Sequence, residues 1–143
     1  MGRGETLLNH QAHQGHQALP AALEDLARCV VDAGLAVHRE LGPGLLESAY
    51  EHCLAHELET RSVSTRRQVP LPLTYKGVTL DAGYRIDLLV EEMLIVEIKA
   101  VEALTRLHEA QIITYLKLSK RRLGFLMNFN APLFKEGVRR FAL

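Results

Sequence analysis

The chain has 143 residues, 48% of them hydrophobic and 24% charged, which suits one soluble globular domain with a substantial core. Seventeen basic residues balance seventeen acidic ones, so bulk charge cannot draw the chain to nucleic acid and any such contact needs a local patch. No apolar run nears the roughly 20 residues of a membrane helix, and two cysteines are too few for an iron–sulfur cluster.

Residues 1–18 carry His10, His13 and His16 among Gln and Gly, without apolar periodicity, and read as a flexible tail. Three histidines spaced by three could also chelate a metal. No secretory pattern opens the chain, so a cytoplasmic protein without membrane contact or organic cofactor is expected. Residues 19–143 read as a single domain. From Pro20, the residues Leu23, Leu26, Ala27, Val30, Val31, Gly34, Val37 and Leu41 form a helical stripe. Gly42-Pro43-Gly44 ends that helix. A second helix follows on Leu46, Ala49, Tyr50, Cys53, Leu54 and Leu58, and Cys29 and Cys53 are expected to be buried free thiols.

The period then changes to two. Val69, Leu71, Leu73 and Tyr75 alternate with Pro70, Pro72 and Thr74, which predicts an edge strand because each proline removes a ladder donor. Lys76-Gly77 predicts a hairpin turn, Val78 to Val90 a second strand and Leu94 to Ala100 a third. A helix over Ala103–Leu118, a strand over Leu123–Phe129 and a closing strand from Val138 complete an α-α-β-β-β-α-β-β order. This is an α/β sandwich around a small mixed sheet flanked by helices.

The charged residues inside the apolar strands need an explanation, because an unpaired buried charge costs several kcal/mol or more. Glu97 and Lys99 share one strand face and Ile98 takes the other. If Asp87 joins them, two carboxylates and an ammonium converge. Asp87, Glu97 and the Ile98 backbone carbonyl could then hold Mg²⁺ or Mn²⁺, with Lys99 beside a water poised for phosphodiester hydrolysis. The same short pattern also arises on amphipathic strands with exposed charges. One geometric condition separates the two: Asp87 faces Glu97 only if the connecting turn holds an odd number of residues, such as 91–93. A two-residue turn would pair Asp87 with Val96.

Glu47 borders the second helix's apolar stripe. It is either a further metal ligand or a carboxylate favoured by the helix dipole. On the third helix His108, Gln111 and Tyr115 line one stripe. They either hydrogen-bond near the carboxylates or divide into a solvated His108 and a core Tyr115. Basic residues at Arg66, Arg67, Lys120 and Arg121 are candidate phosphate contacts or plain solvated surface, with few aromatics beside them for base stacking.

Taken together these residues resemble a known family. Gly44-Leu45-Leu46-Glu47-Ser48-Ala49-Tyr50 matches the signature of the GxxExxY protein family, and the likeness continues through Val37–Gly44, Gln68–Pro72, Tyr84–Val90, His108–Gln111 and Leu126–Asn130. That family is placed in the PD-(D/E)xK nuclease-like superfamily. The resemblance implies a restriction-endonuclease-like αβββαβ sandwich with Asp87, Glu97 and Lys99 at the motif positions and Glu47 as the helical acid. Gln111 and Tyr115 resemble the QxxxY element of the RecB-like branch, and Ile86 stands where the nominal proline precedes the Asp. The function expected is a divalent-metal-dependent nuclease acting on DNA. The rival expectation is a catalytically silent nuclease-fold module that binds nucleic acid or protein and self-assembles into homo-oligomers.

Overall fold

A computed structural model describes residues 18–143. The tail over residues 1–17, with its three histidines, lies outside the described residues. Helix α1 (Ala21–Leu41) starts after Pro20, and Gly42 closes it at φ 66°, donating its N–H to the His38 carbonyl. After the Gly-Pro-Gly break comes α2 (Glu47–Thr60). Strands β1 (Thr65–Pro70), β4 (Arg85–Val90), β5 (Leu94–Lys99), β6 (Leu123–Asn128) and β7 (Val138–Ala142) form one five-stranded sheet in the order β1-β4-β5-β6-β7. Strands β2 (Leu73–Tyr75) and β3 (Val78–Leu80) form a separate hairpin. All pairs in the large sheet are antiparallel except β5–β6. A parallel step needs a crossover, and helix α3 (Arg106–Ser119) supplies it.

Both faces of the sheet are covered. Leu88, Val90, Leu94, Val96, Ile98, Phe125 and Met127 pack with Val30, Ala33, Val37, Tyr50, Leu54 and Leu58 of α1 and α2. On the other side Leu89, Ile95, Leu126 and Phe141 pack with Ile112, Tyr115 and Leu116 of α3. Strands buried on both faces read as continuous apolar runs, which is how β5 and β6 look in the sequence. Close approach is enforced at Gly34, where a Cβ would meet Phe134 Cζ at 2.5 Å, so α1 seats directly on the short 3₁₀ turn Phe134–Gly137.

Four expectations need correction. The alternation over 69–75 is two strands, and the expected strand over 78–90 breaks after Leu80; residues 81–84 lie outside any strand. Pro72 and the Asp81–Gly83 bend, where Gly83 N–H donates to Asp81 Oδ1 at 3.0 Å, interrupt the ladder that the side-chain period suggests. Neither thiol is buried: Cys53 is exposed and Cys29 half-buried. Leu46 is also solvent-facing, because the buried stripe of α2 runs through Tyr50, Glu51, Leu54, Ala55 and Leu58 instead.

Tyr50 sits at the junction of α1 and α2. It is fully buried and stacks on Phe129, with ring centroids 4.7 Å apart. Its hydroxyl donates to the Gly42 carbonyl at 2.5 Å and accepts from Leu45 N–H at 3.1 Å. The tyrosine of the Gly44–Tyr50 motif therefore pins the Gly-Pro-Gly turn. Tyr50→Phe leaves both backbone groups without that partner, and we expect a loss of about 1–3 kcal/mol in chemical denaturation. A variant as stable as wild type would remove Tyr50 from this role.

Candidate active site

The connection between β4 and β5 spans residues 91–93, and the register Val90↔Leu94, Leu89↔Ile95, Leu88↔Val96 brings Asp87 opposite Glu97. The odd turn is present. Backbone pairing ends at Leu88↔Val96, and beyond it the two carboxylates take over the ladder's role. Asp87 N–H donates to Glu97 Oε2 at 3.0 Å, and Ile98 N–H donates to Asp87 Oδ2 at 2.8 Å. The acids are thus tied to the backbone of each other's strands.

Their electrostatics follow from that closeness. Burial, then the Asp87 charge, pushes the Glu97 carboxyl up to about 9, against the partial relief of a backbone hydrogen bond and of Lys99. Asp87 is raised as well, chiefly by burial, with the Ile98 N–H, Gln68 and Lys99 working the other way. Lys99 lies two residues beyond Glu97 on the same strand face, and its charge acts on both acids. Glu47, in the first turn of α2, accepts from Ala100 N–H at 3.1 Å, which sets it against the end of β5 just past Lys99.

Helix α3 closes the site from one face of the sheet. Tyr115 is buried in the apolar cluster and its hydroxyl accepts from Gln111 Nε2 at 3.1 Å. Burial and the nearby negative charge of Glu97 hold that hydroxyl protonated beyond its usual range. The Tyr115 ring is core, and its hydroxyl is hydrogen-bonded to Gln111. His108 has a different use. Its Nδ1 accepts from Thr105 N–H at 3.1 Å while Thr105 Oγ1 accepts from His108 N–H at 3.3 Å, a capping box that starts α3.

The sandwich places the opposed acids and the flanking Lys99 at one end of β4 and β5. A family model for the PD-(D/E)XK nuclease superfamily matches residues 24–141. The chain belongs to that superfamily. No curated protein and no solved structure matches it. The mixed five-stranded sheet between helices is a PD-(D/E)XK nuclease-like fold.

Within this nuclease-superfamily domain, three of the four basic residues singled out by sequence lie away from the acids. Arg66 pairs with Glu92 at 2.6 Å, and Arg121 stands 3.6 Å from the same carboxylate. Lys120 ends α3 in the left-handed conformation. The register Leu94↔Leu123 sets this group beside the start of β5, about 16 Å from Lys99 at about 3.3 Å per residue. Arg67 alone turns toward the site, where it clamps Glu51 Oε2 at 3.0 Å.

Glu51 and Gln68 were not singled out by sequence. Glu51 is buried at 5% exposure. The Gln68 amide nitrogen bridges Glu51 Oε1 at 2.7 Å and Asp87 Oδ1 at 3.2 Å. A signal was present, because Glu47, Tyr50, Glu51, Leu54 and Leu58 share one helical face and Glu51 therefore falls inside the buried stripe.

Among the described residues no three His, Cys, Asp or Glu side chains form a ready-made metal cage. The residues still suit a hard cation that keeps several of its own waters. The donors are oxygens, and two raised, mutually repelling carboxylates gain most from a divalent positive charge. Among the described residues no helix is long and apolar enough to cross a membrane.

Proposed function

We propose that this domain is a Mg²⁺- or Mn²⁺-dependent nuclease that hydrolyses phosphodiester bonds in DNA. The observation carrying this reading is the opposition of Asp87 and Glu97 beside Lys99 at the point where the β4–β5 ladder opens. Asp87 and Glu97 would hold the cation, with the Ile98 carbonyl and Glu47 as further oxygen donors. The Ile98 N–H already points at Asp87, and a strand residue's carbonyl faces the same neighbour as its N–H in an antiparallel pair. When bound, the cation supplies charge neutralisation at the phosphate and activation of the attacking water.

The chain's own residues do the rest. Lys99 has three donors and no acceptor, so it can orient the water and stabilise charge on a phosphate oxygen. Gln111 and the protonated Tyr115 hydroxyl position groups around the acids. In the reaction the water oxygen bonds to phosphorus as the phosphorus–oxygen bond to the sugar breaks. Arg66, Lys120 and Arg121, one strand length away, would meet the nucleic-acid backbone away from the scissile phosphate.

The test is a cleavage assay on supercoiled, linear and single-stranded DNA with Mg²⁺ or Mn²⁺, beside Asp87→Ala and Lys99→Ala. We expect cleavage by wild type and a loss of at least about 100-fold in both variants, in line with removing an electrostatic group from the transition state. Equal cleavage by the variants would assign the activity to a contaminant and sink the proposal.

A further inference from the structure

Asp87 is held at both oxygens: Oδ2 by the Ile98 N–H and Oδ1 by Gln68 Nε2. The first partner is backbone and fixed by β5. The second is a side chain on the edge strand that has to be held in place itself. Gln68 is the residue of β1 that faces Asp87, between the pairs Arg67↔Leu88 and Val69↔Ile86. Its backbone adopts φ 53°, a left-handed conformation that residues with a Cβ seldom take. Strain of this kind persists where the surroundings over-determine it, and it concentrates at functional sites.

What over-determines Gln68 is Glu51. An amide nitrogen has two hydrogens, and Gln68 directs one to Glu51 and the other to Asp87. The Glu51 bond is the shorter. Glu51 itself is clamped through its other oxygen by Arg67 Nε at 3.0 Å and Nη2 at 2.9 Å. A buried carboxylate placed near a second one is costly unless both are bonded to donors, and the bridging amide provides that. The order of contacts is therefore Arg67, Glu51, Gln68, Asp87.

We infer that Glu51 is a positioning residue that acts through Gln68 to fix the plane of the Asp87 carboxylate for cation binding. This rests on the nuclease reading given above. Partners that orient a metal-binding group change metal affinity or activity by about 10–100-fold when lost.

The test uses the full chain with Gln68→Met, Glu51→Gln and the double variant, and three readouts. Melting in EDTA reports folding; Gln68→Met removes the bridging amide and should melt below wild type but still in one cooperative transition, since Arg67 still holds Glu51 and the Ile98 N–H still holds Asp87. Calorimetric titration with Mn²⁺ should show affinity weakened about tenfold or more in each single variant. The double variant should lose no more than Gln68→Met alone, because Glu51 acts through Gln68. In DNA cleavage kcat should fall with KM for DNA unchanged. Wild-type Mn²⁺ affinity in Gln68→Met, or additive losses in the double variant, would overturn the inference while leaving the nuclease reading intact. A wild type that binds no Mn²⁺ would overturn both.

Discussion

Glu97→Gln should make the cation-free protein more stable at pH 8 while abolishing its proposed activity. The Glu97 carboxyl titrates near 9 in the fold against 4.5 for the free side chain, because burial and the Asp87 charge penalise its ionised form. A raised acid contributes stability that is fully present below pH 4.5 and is lost as pH climbs toward 9. The loss is about 1.4 kcal/mol per pH unit through that window. Glutamine mimics the protonated acid in shape and neutrality and does not titrate. Melts in EDTA from pH 5 to 9 should therefore show the variant rising above wild type, by on the order of 10 °C at pH 8, with the gap closing toward pH 5. Millimolar Mn²⁺ should narrow the gap by stabilising only wild type. A gap that does not vary with pH would mean that Glu97 is ionised throughout.

The second large effect is structural and falls on Asn128, the last residue of β6, paired in register with Lys99. Asn128 is 3% exposed. Its Oδ1 accepts from Val101 N–H at 3.0 Å and Asn130 N–H at 3.2 Å, and its Nδ2 donates to the Val101 carbonyl at 2.9 Å. Asn130 in turn accepts from Gly44 N–H at 3.0 Å. One amide thus ties the segment leaving Lys99 to the segment leaving β6 and, one residue on, to the turn before α2. Asn128→Ala strips three backbone groups of a partner, each worth about 1–3 kcal/mol. We expect about 3–5 kcal/mol in urea unfolding with an unchanged m-value. A loss under about 1 kcal/mol would show that water replaces the amide without penalty.

The helices and β4–β6 were legible in the sequence, since α1 and β4–β6 carry strong periodicity or long apolar runs, while the division of residues 65–84 into β1, β2 and β3 was not. Asp87, Glu97 and Lys99 could be named because charges inside such runs demand a reason. The opposition of the two acids was legible only as a condition on turn length. Gln68 was illegible: nothing in its identity announces a left-handed backbone, which residues with a Cβ seldom adopt. The part of His108 in a cap was illegible because histidine is not the usual capping-box partner. The distance of Lys120 and Arg121 from the acids has a topological reason. The parallel β5–β6 step returns the chain to the start of β5 before Lys120 and Arg121 can meet the site.

The three-residue turn at 91–93 sets which side chains of β4 and β5 face each other. In many sheets one wet face punishes a slip in register, because a shift by one residue turns apolar side chains out to water. Here β4 and β5 are apolar on both faces, and that penalty is weak. The phase of Asp87 against Glu97 is left to a turn whose first two residues, Glu91 and Glu92, both carry positive φ, at 51° and 58°. Deletion of one residue there need not part the acids, because a two-residue turn still pairs Val90 with Leu94; they part only if the strands slip by one against each other. A slip of β4 against β5, with every motif residue still in place, would separate the two acids where a shorter turn would not.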